Sequence, residues 1–438
     1  MSINMHGVWL PLSVFIAVYI VITLEIINKA VAVLLGVMVL LILRVVDEHS
    51  AIGFIDFETI MLLLGMMAIV AILKRTMLFS FVSVKIAELT QGSPLKILIL
   101  FSVVTAFLSA FLDNVTTVLI VIPIVIQLTA GMGLDPKLYI ISQAVISNIG
   151  GTATLIGDPP NIIIGSKMGL TFNQFIFNLA IPVLIAMCAA IVFIWITHRE
   201  KFKPINTNLT KLFSVQLLLE KIRNEFLNVQ IDKMFVGKSL ACLTIVIGLF
   251  VTQTITRISP GVASIFVAML LFVVSKVDVE KMLEEIEWDT LLFFSGFFVM
   301  IGILEEKGVI EWLAHNVFLR VGNNPYLMVL MVLWVSGIAS GVLDNIPFTI
   351  AMIPIVKLMQ ESNPIPNNIL WWALVLGACF GGNLTMLGAS ANIVTVGIAK
   401  KYKHNISFFE FMRSSALIAL ITLVISSIYL SIYLWMSL

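Results

Sequence analysis

The sequence is short of charge. Only 12% of its 438 residues are Asp, Glu, Lys or Arg, and 26 basic side chains against 25 acidic ones leave a formal net charge of +1. That balance excludes a basic surface for nucleic acid and an acidic one for cationic partners. Cysteine is scarcer still. Cys188, Cys242 and Cys379 each stand alone in an apolar run, which excludes a disulfide framework or a CxxC metal site and reads as plain buried thiols. The first 30 residues lack a basic n-region and a small-residue cleavage site, so Leu10 to Ile26 is expected to stay as a span. What the chain has instead is hydrophobicity: 60% of residues are hydrophobic and the mean hydropathy is +1.08, the composition of a polytopic membrane protein.

About 20 apolar residues cross a bilayer as a helix. Such runs recur at 8–26, 30–46, 58–73, 139–164, 174–197, 235–256, 261–275, 289–304, 370–397 and 408–437, which predicts ten crossings. Two more stretches, 95–130 and 326–360, are long enough for two passes but are interrupted by Asp113-Asn114 and Asp344-Asn345, and they read as re-entrant helical hairpins. Broken backbone is prohibitive in lipid, so the hairpin tips should lie against protein or a wet cavity.

The chain repeats itself at a constant offset of 231 residues, from about Asp56 to Gly165 and again from about Glu287 to Val396. Residues 109–125 (SAFLDNVTTVLIVIPIV) share 8 of 17 positions with 340–356 (SGVLDNIPFTIAMIPIV). Residues 150–162 (GGTATLIGDPPNI) share their glycines, Thr154/Thr385, Asn161/Asn392 and Ile162/Ile393 with 381–393 (GGNLTMLGASANI). The expected fold is therefore all-α, with two inverted-topology repeats, each of five crossings including a broken helix, plus one hairpin. Residues 1–197 form the first repeat, with hairpin 95–130 and broken helix 139–164; 198–234 form a cytoplasmic linker; 235–438 form the second, with hairpin 326–360 and broken helix 370–397. Five crossings is an odd number, so the second copy should enter the membrane upside down. Charge agrees: with the central loop 198–238 cytoplasmic, 20 of 26 Lys and Arg fall on the inner side and both termini face outward. Segments 76–91 and 306–321 mix apolar with charged residues and read as interfacial helices.

Asp113 and Asp344 are the acids that span length places near mid-membrane, where an ionised carboxylate needs pairing, hydration or a cation. A helix broken at mid-depth offers terminal N–H groups to anionic or polar solutes and C=O groups to cations. Asn114, Thr116 and Thr117 in repeat one, and Asn345 and Thr349 in repeat two, would complete a coordination shell. The plain alternative is that each aspartate only caps the returning half-helix. Asn148, Gly151 and Thr152, with Gly157-Asp158-Pro159-Pro160-Asn161, would unwind crossing 139–164 and free backbone groups for a ligand. The second copy keeps glycines, Asn383, Thr385, Ser390 and Asn392 but loses the acid and both prolines, so the site should be asymmetric. Asp158 is then either a coupling group or a turn aspartate bonding nearby amides. Gly237-Lys238-Ser239 has Asp232 where a phosphate loop needs its first glycine, which argues against ATP hydrolysis. His198 and His315 sit at span ends.

At LDNVTTVLIVIPIV and NIGGTATLIGDPPN the chain resembles the ion transporter superfamily, in particular the branch of arsenite permeases (ArsB), sodium/proton antiporters (NhaD) and the melanosomal P protein. The resemblance implies two inverted repeats, a scaffold that forms a homodimer, and elevator-like movement of a transport domain. It also implies no organic cofactor, with a proton or sodium as coupling ion. Related divalent-anion/sodium symporters carry Ser-Asn-Thr at hairpin tips and a Thr-Pro-Pro-Asn turn. Here Asp113-Asn114-Val115 and Asp158-Pro159-Pro160-Asn161 stand instead, which speaks against sodium/dicarboxylate symport.

The leading expectation is a cell-membrane, proton-driven efflux transporter for arsenite or antimonite, not an enzyme, with Asp113, Asp344 and Asp158 as proton-coupling groups. Sodium/proton exchange, with sodium at Asp113, Asn114, Asp344 and Asn345, is the alternative, and carboxylate or other anion transport the third. An intramembrane aspartyl protease would need a GxGD motif, and none occurs. A passive channel shares the composition. The basic central loop would permit a soluble ATPase partner to dock, though such charge commonly serves orientation alone.

Overall fold

The computed structural model describes residues 5–438 except 25, 92, 203–232, 277, 315 and 317–323. The described residues form helices and turns, and eight of the helices are long and apolar enough to cross a membrane. The chain opens with α1 (Met5–Thr23), α2 (Lys29–Ile42), α3 (Phe57–Arg75) and the shorter α4 (Leu78–Thr90). The first hairpin is α5 (Pro94–Phe111) and α6 (Asn114–Gly131); the first broken helix is α7 (Pro136–Gly151) and α8 (Pro159–Met168), followed by α9 (Phe172–Thr197). Beyond the linker come α10 (Lys233–Val251), α11 (Pro260–Ser275) and α12 (Trp288–Glu306). The second hairpin is α13 (Pro325–Val342) and α14 (Asn345–Ser362), the second broken helix α15 (Ile369–Gly381) and α16 (Ser390–Lys401), and α17 (Phe408–Ser437) ends the chain.

The 231-residue offset is written into the coordinates. Helices starting at 29, 57, 94, 114 and 159 recur at 260, 288, 325, 345 and 390. The hydrogen bonds recur too: Ser109 Oγ donates to Ser147 O as Ser340 Oγ does to Ala378 O, and Thr154 Oγ1 donates to Ala110 O as Thr385 Oγ1 does to Gly341 O. At the N-termini of α11 and α2 the structure carries the repeat further back than sequence identity does. Glu58 on α3 accepts from Ser259 Oγ (2.8 Å) and Gly261 N (2.6 Å), while Asp289 on α12 accepts from Asn28 Nδ2 (2.9 Å). Each acid thus grips the start of a helix from the other half of the chain, and α3 packs on α11 as α12 packs on α2.

Two layers result. One comprises α1, α2, α3, α10, α11 and α12; the other comprises the hairpins, the broken helices, α9 and α17. They meet along α3–α8 and α12–α14. Glycine sets the closeness of hairpin to broken helix: a Cβ on Gly150 would strike the Ala106 backbone and one on Gly381 the Gly337 backbone. Exposed Phe177, Ile181, Leu184 and Val192 on α9 and Leu417, Val424 and Ile428 on α17 give the apolar outer face that lipid demands. Expected spans 139–164 and 370–397 are indeed interrupted helices, at 152–158 and 382–389. Segment 76–91 is helical as expected; of 306–321, Val309–Leu313 is helical, while His315 and 317–321 lie outside the described residues, as does 203–232 of the linker. Lys238 lies inside α10 with its Nζ donating to Val274 O, a helical lysine and not part of a phosphate-cradling loop.

Candidate functional site

Each hairpin turns on two extended residues. Leu112 and Asp113 have φ/ψ of −111°/164° and −67°/156°, and Leu343 and Asp344 have −110°/154° and −56°/133°. The aspartates cap the returning helices. Asp113 accepts from Thr116 N (2.7 Å) and Thr116 Oγ1 (2.6 Å), and Asp344 from Ile346 N (3.1 Å). Their carboxylates satisfy N–H groups of the first helical turn that lack an intrahelical partner, and at the second tip the Asn345 N–H donates to Gly388 O (3.1 Å).

The next residue along faces inward. Asn114 and Asn345, both buried, point from the two tips at one carboxylate, Asp158, whose Oδ1 accepts from Asn114 Nδ2 at 3.3 Å and from Asn345 Nδ2 at 3.5 Å. Asp158 is N-cap of α8 but makes no side-chain cap bond, so the turn-aspartate reading fails. Its exposure is 0%, and its Oδ2 has no hydrogen-bond partner among the described residues. An ionised carboxylate in that position is costly until a proton or cation joins it.

Behind Asp158 lies a chain of amides that joins the two broken helices. Asn148 accepts from Asn114 Nδ2 (3.1 Å) and donates to Asn383 Oδ1 (2.8 Å) and Asn392 Oδ1 (3.0 Å). Asn161 and Asn392 staple the breaks: Asn161 Nδ2 donates to the carbonyls of Gly151, Thr152 and Thr154, and Asn392 Nδ2 to those of Gly382 and Thr385. Several predicted hydroxyl ligands are committed to backbone carbonyls instead. Thr117 donates to Asp113 O, Thr152 to Asn148 O, Thr349 to Asn345 O and Thr385 to Gly341 O. Ser390 reaches Asp344 Oδ2 at 3.5 Å.

Two participants were missed in the sequence. Cys379, read as a plain thiol, donates to Asn161 Oδ1 at 3.4 Å and neighbours Asp158. It stands 231 residues after Asn148, so the repeat itself was the signal. Lys29 holds its Nζ 3.9 Å from Asp344 Oδ2 and 5.2 Å from the Phe293 ring centre, and nothing in its local sequence marks it.

The amide cluster opens to a cavity of about 670 Å³ lined by Asp113, Asn114, Asp158, Asn345 and Ser390, with Lys29, Lys74 and the segment Glu285–Thr290 at its wall. Away from the membrane layer, Asp135 caps α7. Burial pushes its carboxyl up, but Lys201 at 3.1 Å and the Lys137 N–H outweigh that and hold it below the ordinary carboxylate range.

The arrangement has known relatives. An uncharacterised transporter of Mycobacterium tuberculosis is 37% identical over 428 residues, covering 95% of this chain and 96% of that one. The mouse P protein is 31% identical over 497 residues, covering 96% of this chain and 59% of its own. The crystal structure of the Alcanivorax borkumensis YdaH transporter shares the fold at TM-score 0.52 and 12% identity, covering 89% of this chain and 87% of that one. Residues 19–377 match the family described as CitMHS, citrate transporter. With tips, breaks and apolar helices arranged in this way, the chain belongs to that family within the ion transporter superfamily and is a multi-span membrane transporter.

Proposed function

We propose that the chain is a proton-coupled secondary transporter of the cell membrane, with Asp158 as its coupling group. One observation carries the reading: both hairpin tips donate to the same fully buried carboxylate, one of whose oxygens has no hydrogen-bond partner among the described residues. A proton or cation on Asp158 would relax its hold on Asn114 and Asn345, so loading the acid and moving the tips are one event. Asp113 and Asp344 hold the tips in shape. The repeats are inverted in this reading, the loop 198–234 is cytoplasmic, and the cavity opens inward. The hairpin layer moves against the other, which forms a homodimer.

The solute is arsenite or antimonite, moved outward. Neutral arsenous acid asks only for hydrogen-bonding oxygens and amides, and Asn114, Asn345 and Ser390 at the cavity wall supply them without a thiolate. A second reading, sodium/proton exchange, is favoured by the same carboxylate with amide oxygens about it, a donor set suited to a hard cation. Citrate, the solute in the family's description, would bring negative charge to a cavity where Asp113, Asp158, Glu285, Glu287 and Asp289 outnumber Lys29 and Lys74.

The test is flux in proteoliposomes under an imposed pH gradient, comparing arsenite, sodium and citrate for wild type and Asp158→Asn. Gradient-driven arsenite movement that is lost in the variant supports the proposal. Sodium moving against protons without arsenite transport gives the site to the second reading. Citrate uptake, or full activity in Asp158→Asn, overturns both.

A further inference from the structure

The two tips carry the same Asp-Asn pair but meet different neighbours. Asp344 lies 3.9 Å from the Lys29 ammonium, whereas the residue 231 positions beyond Lys29 is the uncharged Pro260, and no ion pair of Asp113 occurs among the described residues. Both residues occupy the first position of their helices, α2 and α11. Proline is at home there, while a lysine sets its charge against the positive end of the helix dipole. The position therefore gains nothing for helix stability from Lys29, and the gain has to come from what the side chain faces. Around it are Asp344 and the Phe293 ring, with the Glu287 carboxylate within electrostatic reach. Lys29 also lines both the main cavity and a second one of about 440 Å³ at Leu343, Asp344 and Ser390.

We propose that Lys29 is a tethered counter-ion for the second hairpin tip, filling the place that a mobile cation would otherwise take beside Asp344. Resting on the reading of a cation- or proton-coupled transporter, this deepens it: exchangeable coupling charge is confined to the Asp158–Asp113 side of the site, and Lys29 sets that number. Lys29 belongs to the layer opposite the hairpins, so it also fixes the position in which the second tip is neutralised.

The test is a binding measurement on purified protein: the melting temperature titrated with sodium chloride against choline chloride at constant ionic strength. Lys29→Gln should gain a sodium-specific rise in Tm, with half-saturation about tenfold below wild type, a coupling of ordinary size. Lys29→Arg should retain the wild-type response, and Lys29→Gln combined with Asp344→Asn should lose the gain. A Lys29→Gln response equal to wild type, or a gain that survives in the double variant, overturns the proposal. Should Lys29→Gln not yield folded protein, Asp344→Asn decides. Its sodium response stays at the wild-type level if Lys29 already neutralises Asp344, and a lost response overturns the idea. The titration needs no transported solute, so a chain that moves nothing in vesicles but gains sodium binding in Lys29→Gln refutes the function proposed above and leaves the counter-ion standing.

Discussion

Compared position by position, the two halves of the site keep one skeleton and two chemistries. The glycine contacts, the serine and threonine bonds to carbonyls and the asparagine staples recur at one offset. The groups that differ include those facing the centre: Asp158 against Ala389, Asn148 against Cys379, Thr152 against Asn383, and at the rim Lys29 against Pro260. Backbone geometry is needed twice, because each hairpin must approach its broken helix closely. Charge is needed once, because two buried carboxylates a few ångströms apart oppose each other's ionisation.

The sharpest break of this comparison is Asp158→Asn. Transport should fall by a factor on the order of 10² to 10⁴, the usual toll for losing a proton-transfer group, while the elution profile and melting temperature of the purified protein hold or improve. Adding Ala389→Asp should not restore flux, because the second half lacks a counterpart of Asn148. Next comes Asn148→Ala against Cys379→Ala. The first strands Asn383, Asn392 and Asn114, at about 1–3 kcal/mol for each unsatisfied buried group, and the second removes one weak thiol bond, about 1 kcal/mol. Thermal melts should separate them widely despite their equivalent places. Gly150→Ala and Gly381→Ala test the shared skeleton. Both should cost about 1–3 kcal/mol from overpacking, whereas Gly397→Ala, with open space at its Cβ, should leave the melt unchanged or raised. The smallest effect is expected outside the site. Asp135→Ala removes a cap worth about 1 kcal/mol. Because the Asp135 pKa is lowered on folding, its contribution is present above the unfolded carboxylate pKa and fades as pH falls through the lower folded one. The gap between wild type and variant should therefore begin to narrow below about pH 4 and close only once the pH is below the folded pKa.

Much of this frame could be read from residues alone. Asp-Asn in the middle of an apolar run, and paired glycines beside prolines, can be reconciled with a bilayer only as turns and breaks inside protein, and both are there. The internal repeat then pointed to Asn161 and Asn392, while Asn148 and Asp158 came from the motif around the first break and Asn383 from its counterpart in the second copy. What span length could not give was direction. It placed Asp113 and Asp344 at mid-depth but not the way their carboxylates turn: they cap the returning helices at the cavity wall, while the following asparagines reach Asp158. Burial of the threonine hydroxyls likewise left their nearest carbonyls as partners. Cys242 and Cys379 are the buried free thiols expected and Cys188 is exposed instead; weighed as one of three scattered thiols, Cys379 was not seen as the mate of Asn148. Lys29 lies 315 residues before Asp344, and a pairing across that distance leaves no local pattern.

The reciprocal grip of Glu58 on the start of α11, and of Asp289 on Asn28, bears on how the protein is made. The partners are 201, 203 and 261 residues apart, so neither half can close its own inner layer. During synthesis α2 and α3 must wait in the membrane with their packing faces uncovered until α11 and α12 emerge. Such long-range closure is slow relative to local pairing. The half-made chain is then the vulnerable species, and its quality control has to tolerate that pause. Two fragments parted in the linker, expressed together, should assemble where either alone is degraded.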